Sequence, residues 1–339
     1  MRRITALLTA SVLTAAAALA PGITEANAPF ELNIGSLAPD GTPWREMLTE
    51  VEKLVESKSD GRINVILRPP GLMAEVEMVR ETRSGERLQG CGVTTAAIAE
   101  GGNVPVLQLV ELPFLFDNNA EADHVLDDVL WEPFSTALRR RGFILGIWSE
   151  NGWRSFGTKG TPVKSPADLK GRKMRSQESD VHMAMYKEFG ANAVQKPMTE
   201  VLTALQSGVI DGLDNTALYT LTGGLAEPLD YFTLTKHIYQ PAAILYSRRW
   251  FERLPEDLQK IVMEPRRFAT DGRKKIRAEE QNMIALFPDM GMKVVDLSDA
   301  EREAFKKAGR AMHGKFAASI EGGPETLAMI QKALDAKRR

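Results

Sequence analysis

Few side chains in this sequence have the type and spacing that chemistry needs, and the clearest of them suits holding an anion. Arg175 closes the segment Lys173-Met174-Arg175, which follows Gly171 and reads as a short strand, with helical apolar spacing from Val181 to Phe189 behind it. A guanidinium is always charged and its planar fork matches a carboxylate at two points, so a strand-end arginine beside a cleft is a natural anion clamp. A solvated surface arginine is the plainer alternative. Catalytic patterns are missing. His124, His182, His237 and His313 lie far apart with no metal-ligand spacing such as HExxH, and Gly101-Gly102 and Gly223-Gly224 are lone pairs without a phosphate-binding context. There is no G-x-S-x-G, P-loop or dinucleotide fingerprint. Distant residues can still converge, so a hydrolase stays as an alternative class, beside a purely structural adaptor.

The elements that must position Arg175 begin after a leader. Arg2 and Arg3, an apolar run from Ile4 to Ala20 and then Ala26-Asn27-Ala28 read as a cleavable secretory signal peptide over residues 1–28. The mature chain is expected to start near Pro29 and to be soluble outside the cytoplasm, and no later stretch has the length a bilayer needs. Without Arg2, Arg3 and Glu25, 41 basic residues face 44 acidic ones, a net charge near −3, which calls for neither nucleic acid nor an anionic membrane. Cys91 is the single cysteine, so no internal disulfide forms, and its apolar and small neighbours predict burial.

The remaining length suits two domains. Strand-like Leu32 to Leu37, a helix from Pro43 to Ser57, strand Ile63–Leu67, a helix from Glu75 to Ser84 and strand Cys91–Thr95 give a β-α-β-α-β order. That order predicts a parallel sheet with helices on both faces and a ligand at the carboxyl ends of the strands. A helix from Ala120 to Arg141, a strand from Phe143 to Ser149 and a second strand from Trp153 to Thr158 follow, with the crossing between domains near Glu150. The second unit repeats the alternation: Lys173–Ser176, a helix to Phe189, Ala193–Gln195, a helix from Thr199 to Ser207 with Thr199 as its cap, and strand Val209–Leu213. Gln240 to Ser247 reads as a strand returning to the first domain. A long helical pattern from Pro255 to Phe287 is interrupted at Pro265, and helices from Ser298 to Phe316 and Pro324 to Lys337 end the chain. The fold class is α/β, with domain I at 29–150 plus about 241–282 and domain II at 151–240 plus about 283–339.

Four ordered motifs carry a resemblance that covers nearly all of the mature chain: Leu112-Pro113-Phe114-Leu115-Phe116, Ser165 to Arg175 (SPADLKGRKMR), Glu200 to Gly212 (EVLTALQSGVIDG) and Leu254 to Gln259 (LPEDLQ). On these the chain resembles the substrate-binding receptors of tripartite ATP-independent periplasmic (TRAP) transporters, of the C4-dicarboxylate-receptor (DctP) type. The resemblance implies a periplasmic binding-protein fold of two hinged α/β domains with a long domain-spanning helix. It also implies a receptor that is not an enzyme, needs no cofactor, is expected to be a monomer, and delivers an organic acid to the small and large membrane subunits.

Residue by residue, the resemblance assigns the two-point salt bridge with the ligand carboxylate to Arg175, an assisting role to Arg154, and a hydrogen bond to the same carboxylate to Asn215. Met198 stands where many acid-binding relatives place a phenylalanine; it is an adaptable apolar wall or core filler. Leu213 and Thr216 also depart from the residues common beside the asparagine. Trp44, in the opening Leu37 to Trp44, resembles a branch associated with hydrophobic ligands and either floors a pocket or packs ordinarily. Tyr219 and Tyr231 are further cleft candidates. Because the clamp arginine is kept, an organic acid with an apolar body ranks above a neutral lipid, and a periplasmic carrier of a hydrophobic ligand is the alternative.

Overall fold

The computed structural model describes residues 29–339, so the expected signal peptide lies outside the described residues. Strand β1 (Phe30–Ser36) runs into helix α1 (Pro43–Lys58), where Thr42 accepts a hydrogen bond from the Arg45 amide and Pro43 sets the first turn. The apolar face predicted for α1 is buried through Met47, Leu48, Val51 and Val55. Strand β2 (Ile63–Leu67), helix α2 (Glu75–Ser84) and strand β3 (Gly90–Thr94) follow at the positions their alternation predicts. Helix α3 (Thr95–Gly102) is an addition: all its residues but Glu100 are buried, so it carries little amphipathic signal.

The helix expected from Ala120 to Arg141 is broken. α4 (Asn119–His124) passes through a π turn at Val125–Val129 and restarts as α5 (Trp131–Arg140), because Pro133 is tolerated only in the first turn of a new helix. The two strands expected on either side of Glu150 are one 16-residue strand, β4 (Phe143–Thr158). Its register slips between Glu150 and Gly152, and Gly152 adopts φ +108, a conformation open to glycine, so the gap in the pattern is a bulge inside one strand.

Strand β5 (Lys173–Ser176), helix α6 (Asp180–Glu188) and strand β6 (Asn192–Gln195) match expectation. The next helix is shorter. Met198–Glu200 form a 3-10 turn without a side-chain cap, and α7 is Val201–Gln206. The strand expected at Val209–Leu213 is shifted to β7 (Gly212–Thr216), because the Val209 and Ile210 amides both donate to the Ala204 carbonyl and finish the helix instead. Helix α8 (Ala217–Thr222) leads to β8 (Tyr231–Ser247), a 17-residue strand of which the sequence pattern revealed only the second half.

After the short α9 (Arg248–Phe251), α10 (Glu256–Met263) is separated from α11 (Ala269–Leu286) by a 3-10 turn that holds Pro265. Strand β9 (Lys293–Val295) precedes α12 (Asp299–Ala311), α13 (His313–Ala318) and α14 (Gly323–Arg338). The single helix expected from Ser298 to Phe316 is therefore two. No helix among the described residues is long and apolar enough to cross a membrane.

The strands form one sheet in the order β2-β1-β3-β8-β4-β7-β5-β6, with β9 beside β8. Parallel triplets lie at each end, as the alternation predicts. The expectation of purely parallel units fails at the centre, where β4 and β8 pair antiparallel along their lengths and join the triplets. Two strands of this length bind each half of the fold to the other. Cys91 is fully buried, and burial pushes its thiol up to about 12, in keeping with a packing role.

Candidate functional site

A cleft of about 750 Å³, partly open to solvent, lies between the two ends of the sheet. Trp44, Arg154, Arg175, Met198, Asn215 and Tyr219, all singled out from the sequence, line it together. Tyr231 does not; it opens β8 beside Lys293, whose ammonium lies 5.6 Å from its ring.

Arg175 is the third residue of β5, held between Val194 of β6 and Leu213 of β7. Its side chain is 2% exposed, and Nε and Nη2 donate to the Lys196 carbonyl at 2.9 and 2.8 Å. The fork is thus fixed on one edge while Nη1 has no acceptor among the described residues. No carboxylate of the described residues lies within 4.0 Å of this guanidinium. Burial, then the nearby charge of Arg154, pushes its pKa down to about 10, which still leaves it charged at neutral pH.

Asn215 sits on the neighbouring strand β7, opposite Ser155 of β4. Its Oδ1 accepts the Thr216 amide at 2.9 Å, which fixes the amide plane and leaves Nδ2 buried without an acceptor. Thr216 in turn caps α8 by accepting the Tyr219 amide at 3.3 Å. A fixed charged donor and a fixed neutral donor therefore line one cleft, both short of an acceptor.

Arg154 is placed differently. It lies within β4 between Thr216 of β7 and Ile238 of β8, and is 1% exposed. Nε donates to Asp214 Oδ2 at 2.5 Å, Nη1 to Gln240 Oε1 at 2.7 Å, and Nη2 to the Asp214 carbonyl. Its charge is matched inside the protein. Asp214 also accepts the Tyr186 hydroxyl at 2.7 Å. Burial raises the Asp214 carboxyl, but Arg154 and the facing His237 outweigh that and hold it well below the usual range.

Two of the widely separated histidines do converge here. His182 Nε2 is 2.8 Å from Glu111 Oε2, and His182 Nδ1 and His237 Nε2 lie 3.7 and 3.5 Å from Asp214 Oδ2. Glu111 also accepts the Ala96 amide and the Gln240 side-chain amide. Burial raises its pKa, but the His182 hydrogen bond reverses the shift to a net lowering. The cluster lies behind the cleft wall and is bonded within itself except at His182 Nδ1 and His237 Nε2, which have no hydrogen-bond partner among the described residues. No group of three or more His, Cys, Asp or Glu side chains among the described residues is arranged to hold a metal ion.

Trp44 and Tyr219, 175 positions apart, meet across the cleft with ring centroids 6.1 Å apart. Trp44 Nε1 donates to the Glu150 carbonyl at 2.9 Å, tying the α1 side to the β4 bulge. Met198 lines the cleft and also packs on the core cluster that holds Val201 and Leu213, so both readings of it hold. The opposite wall is apolar, with Leu37, Ala38, Met47, Leu48, Val93 and Ile244.

Sequence reasoning missed Glu75, Thr94, Gln177 and Gln240, which also line the cleft. Gln177 had a signal, since it stands two residues after Arg175, the spacing that returns a side chain to the same face of an extended chain. Glu75 stands in the first turn of α2, where an acid is ordinary, so nothing in the sequence marked it.

The family profile described as bacterial extracellular solute-binding protein, family 7 (DctP) matches residues 34–319. The chain belongs to this family. A solute-binding protein from Verminephrobacter eiseniae is 33% identical over 74% of each chain. The 2,3-diketo-L-gulonate-binding periplasmic protein of Escherichia coli is 29% identical over 82% of this chain and 84% of its own. The crystal structure of a TRAP periplasmic solute-binding protein from Polaromonas, bound to D-erythronate, superposes with a TM-score of 0.83 at 30% identity, covering 89% of this chain and 98% of that one. The family is one of transport receptors, so the protein is a solute-binding protein and not an enzyme.

Proposed function

We propose that the chain is the extracytoplasmic receptor of a TRAP transporter and captures an organic acid by its carboxylate. The observation that carries this reading is the pair of buried donors without acceptors, Arg175 Nη1 and Asn215 Nδ2, on adjacent strands in one cleft. Leaving such a donor unpaired costs about 1–3 kcal/mol, and more when it is charged. A carboxylate supplies two oxygens and a negative charge and answers both. Arg154 assists by orientation: its bond to the Asp214 carbonyl holds the β7 peptide that precedes Asn215.

The apolar wall opposite receives the uncharged body of the ligand, with Met198, Trp44 and Tyr219 closing around it. The acids named for the two relatives, 2,3-diketo-L-gulonate and D-erythronate, support a carboxylate ligand. Residues 29–150 with about 241–282, and 151–240 with about 283–339, act as two lobes. A ligand that touches both lobes binds the closed form better and shifts the equilibrium toward it, with no chemical step. The closed, monomeric receptor then docks on the small and large membrane subunits in the periplasm, after removal of residues 1–28.

Titration calorimetry with a panel of organic acids tests the reading. Micromolar or tighter binding by the native chain and its loss in Arg175→Ala are expected; equal binding by the variant would refute the clamp. The apolar wall also favours a second reading, a carrier of a neutral lipid. That reading predicts lipid in the mass spectrum of the purified protein and indifference to Arg175→Ala.

A further inference from the structure

An acid held at Arg175 could carry one charge or two, and the cleft contains a place where a second carboxylate would naturally sit. That place is the start of α3, where backbone amides converge and the helix dipole favours an anion. Thr94 at this helix start, Arg175 and Gln177 border the same side extension of the cleft, a space of about 280 Å³.

The place is already filled from within the chain. Glu75 Oε1 accepts the Thr94 amide at 2.9 Å, and its Oε2 accepts the Thr94 hydroxyl at 3.1 Å. The next donors are also spoken for: the Ala96 amide goes to Glu111 at 2.7 Å and the Ala97 amide to Thr94 Oγ1 at 3.4 Å. Half-buried Glu75 thus stands as a carboxylate of the protein's own in the position a second ligand carboxylate would need.

The remaining charges of the cleft offer no substitute. Its lining holds two cations, Arg154 and Arg175, and two carboxylates, Glu75 and Glu150. Arg154 is matched by Asp214 and Glu150 by Arg277, whose Nη2 lies 2.6 Å from Glu150 Oε2. What is left is one cation without a carboxylate partner, Arg175, with Glu75 within its electrostatic reach. With Glu75 ionised the set is already neutral, so an incoming carboxylate is held by its direct contacts with the Arg175 fork and not by a surplus of positive charge in the cleft. A second would lie against Glu75 or against the apolar wall, and either placement is strongly unfavourable.

Resting on the carboxylate reading above, we infer that the receptor selects monocarboxylates and rejects dicarboxylates, with Glu75 as the residue that sets the choice. This departs from the C4-dicarboxylate type that the sequence resembles. The device is exclusion by a built-in like charge, which discriminates more sharply than loss of an attractive contact. The free lone pairs of Glu75 also suit a hydroxyl on the ligand body, since a carboxylate accepts several hydrogen bonds.

Calorimetry with matched acids of equal carbon count tests this: D-erythronate and butyrate against succinate, and galactonate against galactarate. In the native chain each dicarboxylate is expected to bind at least about 100-fold more weakly than the best monocarboxylate of its length. The ratio of the two affinities is then read in Glu75→Gln, which keeps an acceptor for the Thr94 amide, and in Glu75→Ala, which frees the Thr94 amide and hydroxyl. Both variants are expected to narrow the ratio at least about tenfold, Glu75→Ala more, because the like charge is gone and in the second case the Thr94 amide and hydroxyl are free to donate to a second carboxylate. A dicarboxylate that binds the native chain as tightly as its monocarboxylate partner, with both lost in Arg175→Ala, would overturn the selection while leaving the clamp intact. An unchanged ratio in both Glu75 variants would overturn the role of Glu75. If no acid of the panel binds, the clamp and the selection fall together.

Discussion

A guanidinium withdrawn from water with no carboxylate beside it is an expensive arrangement, and proteins keep such a group where its counter-ion arrives from outside. Arg175 fits that description, and truncating one partner of a desolvated charge pair costs about 2–5 kcal/mol. Arg175→Ala should therefore lower organic-acid affinity by at least about 30-fold in calorimetry, while Asn215→Ala, which removes a neutral donor, should lower it by about tenfold. Equal effects of the two would argue against the charged fork as the main anchor. Arg175 and Asn215 were legible in the sequence because each is a polar residue close to a strand end in a recognisable motif. That Lys196 would take two of the Arg175 donors was not, since a backbone carbonyl leaves no mark on composition. Nor was the pairing of Arg154 with Asp214, which lie 60 positions apart and meet only through the β4–β7 register. Both Asp214 and Glu111 hold pKa values below their ordinary range in the folded chain. Their contribution to stability is present at neutral pH and is lost as pH falls below about 4 toward their folded values. Asp214→Asn should flatten the acid limb of a urea-midpoint-versus-pH curve; an unchanged limb would contradict the assignment.

The elements that bear on the cleft are β4, β8 and α11. Glu150 sits at the β4 bulge, 1% exposed, and accepts from Arg277 of α11 and from the Tyr239 hydroxyl of β8. Arg277 also grips Asp123 of α4 at 2.7 and 2.8 Å, so one side chain ties the back helix to the point where the central strand bends. Burial keeps the Glu150 carboxyl above its usual value in spite of Arg277, which marks it as a poorly solvated charge dependent on its partner. Arg277→Met is expected to destabilise the chain by about 3–5 kcal/mol, read as a lower denaturant midpoint, and Glu150→Gln in the same chain should recover part of the loss. Strict additivity of the two substitutions would show that they do not act as a pair. At this scale the sequence was informative where the apolar pattern was clear, as in α1, β2 and α2. It failed at Val209-Ile210, where β-branched residues that favour strands instead complete the end of α7, and at α3, where burial of every residue but Glu100 leaves no periodicity to read.

Across the whole molecule, the alternation of strands and helices predicted the parallel triplets but not their fusion. Antiparallel pairing of β4 with β8 joins residues about 90 positions apart, and no local pattern encodes such a partner. The same long-range closure brings Trp44 of α1 against Tyr219 of α8, so both ends of the sheet contribute to the cleft roof. A ligand that bridges them should draw the lobes together, and small-angle scattering should give a smaller radius of gyration with a bound acid than without. An identical profile in both states would argue against domain closure. The central claim is tested most directly by a crystal structure of the protein with a bound organic acid. It should place one ligand carboxylate within hydrogen-bonding distance, about 2.7–3.2 Å, of both Arg175 Nη1 and Asn215 Nδ2. A carboxylate seated elsewhere in the cleft, with those two donors still unpaired, would contradict the account.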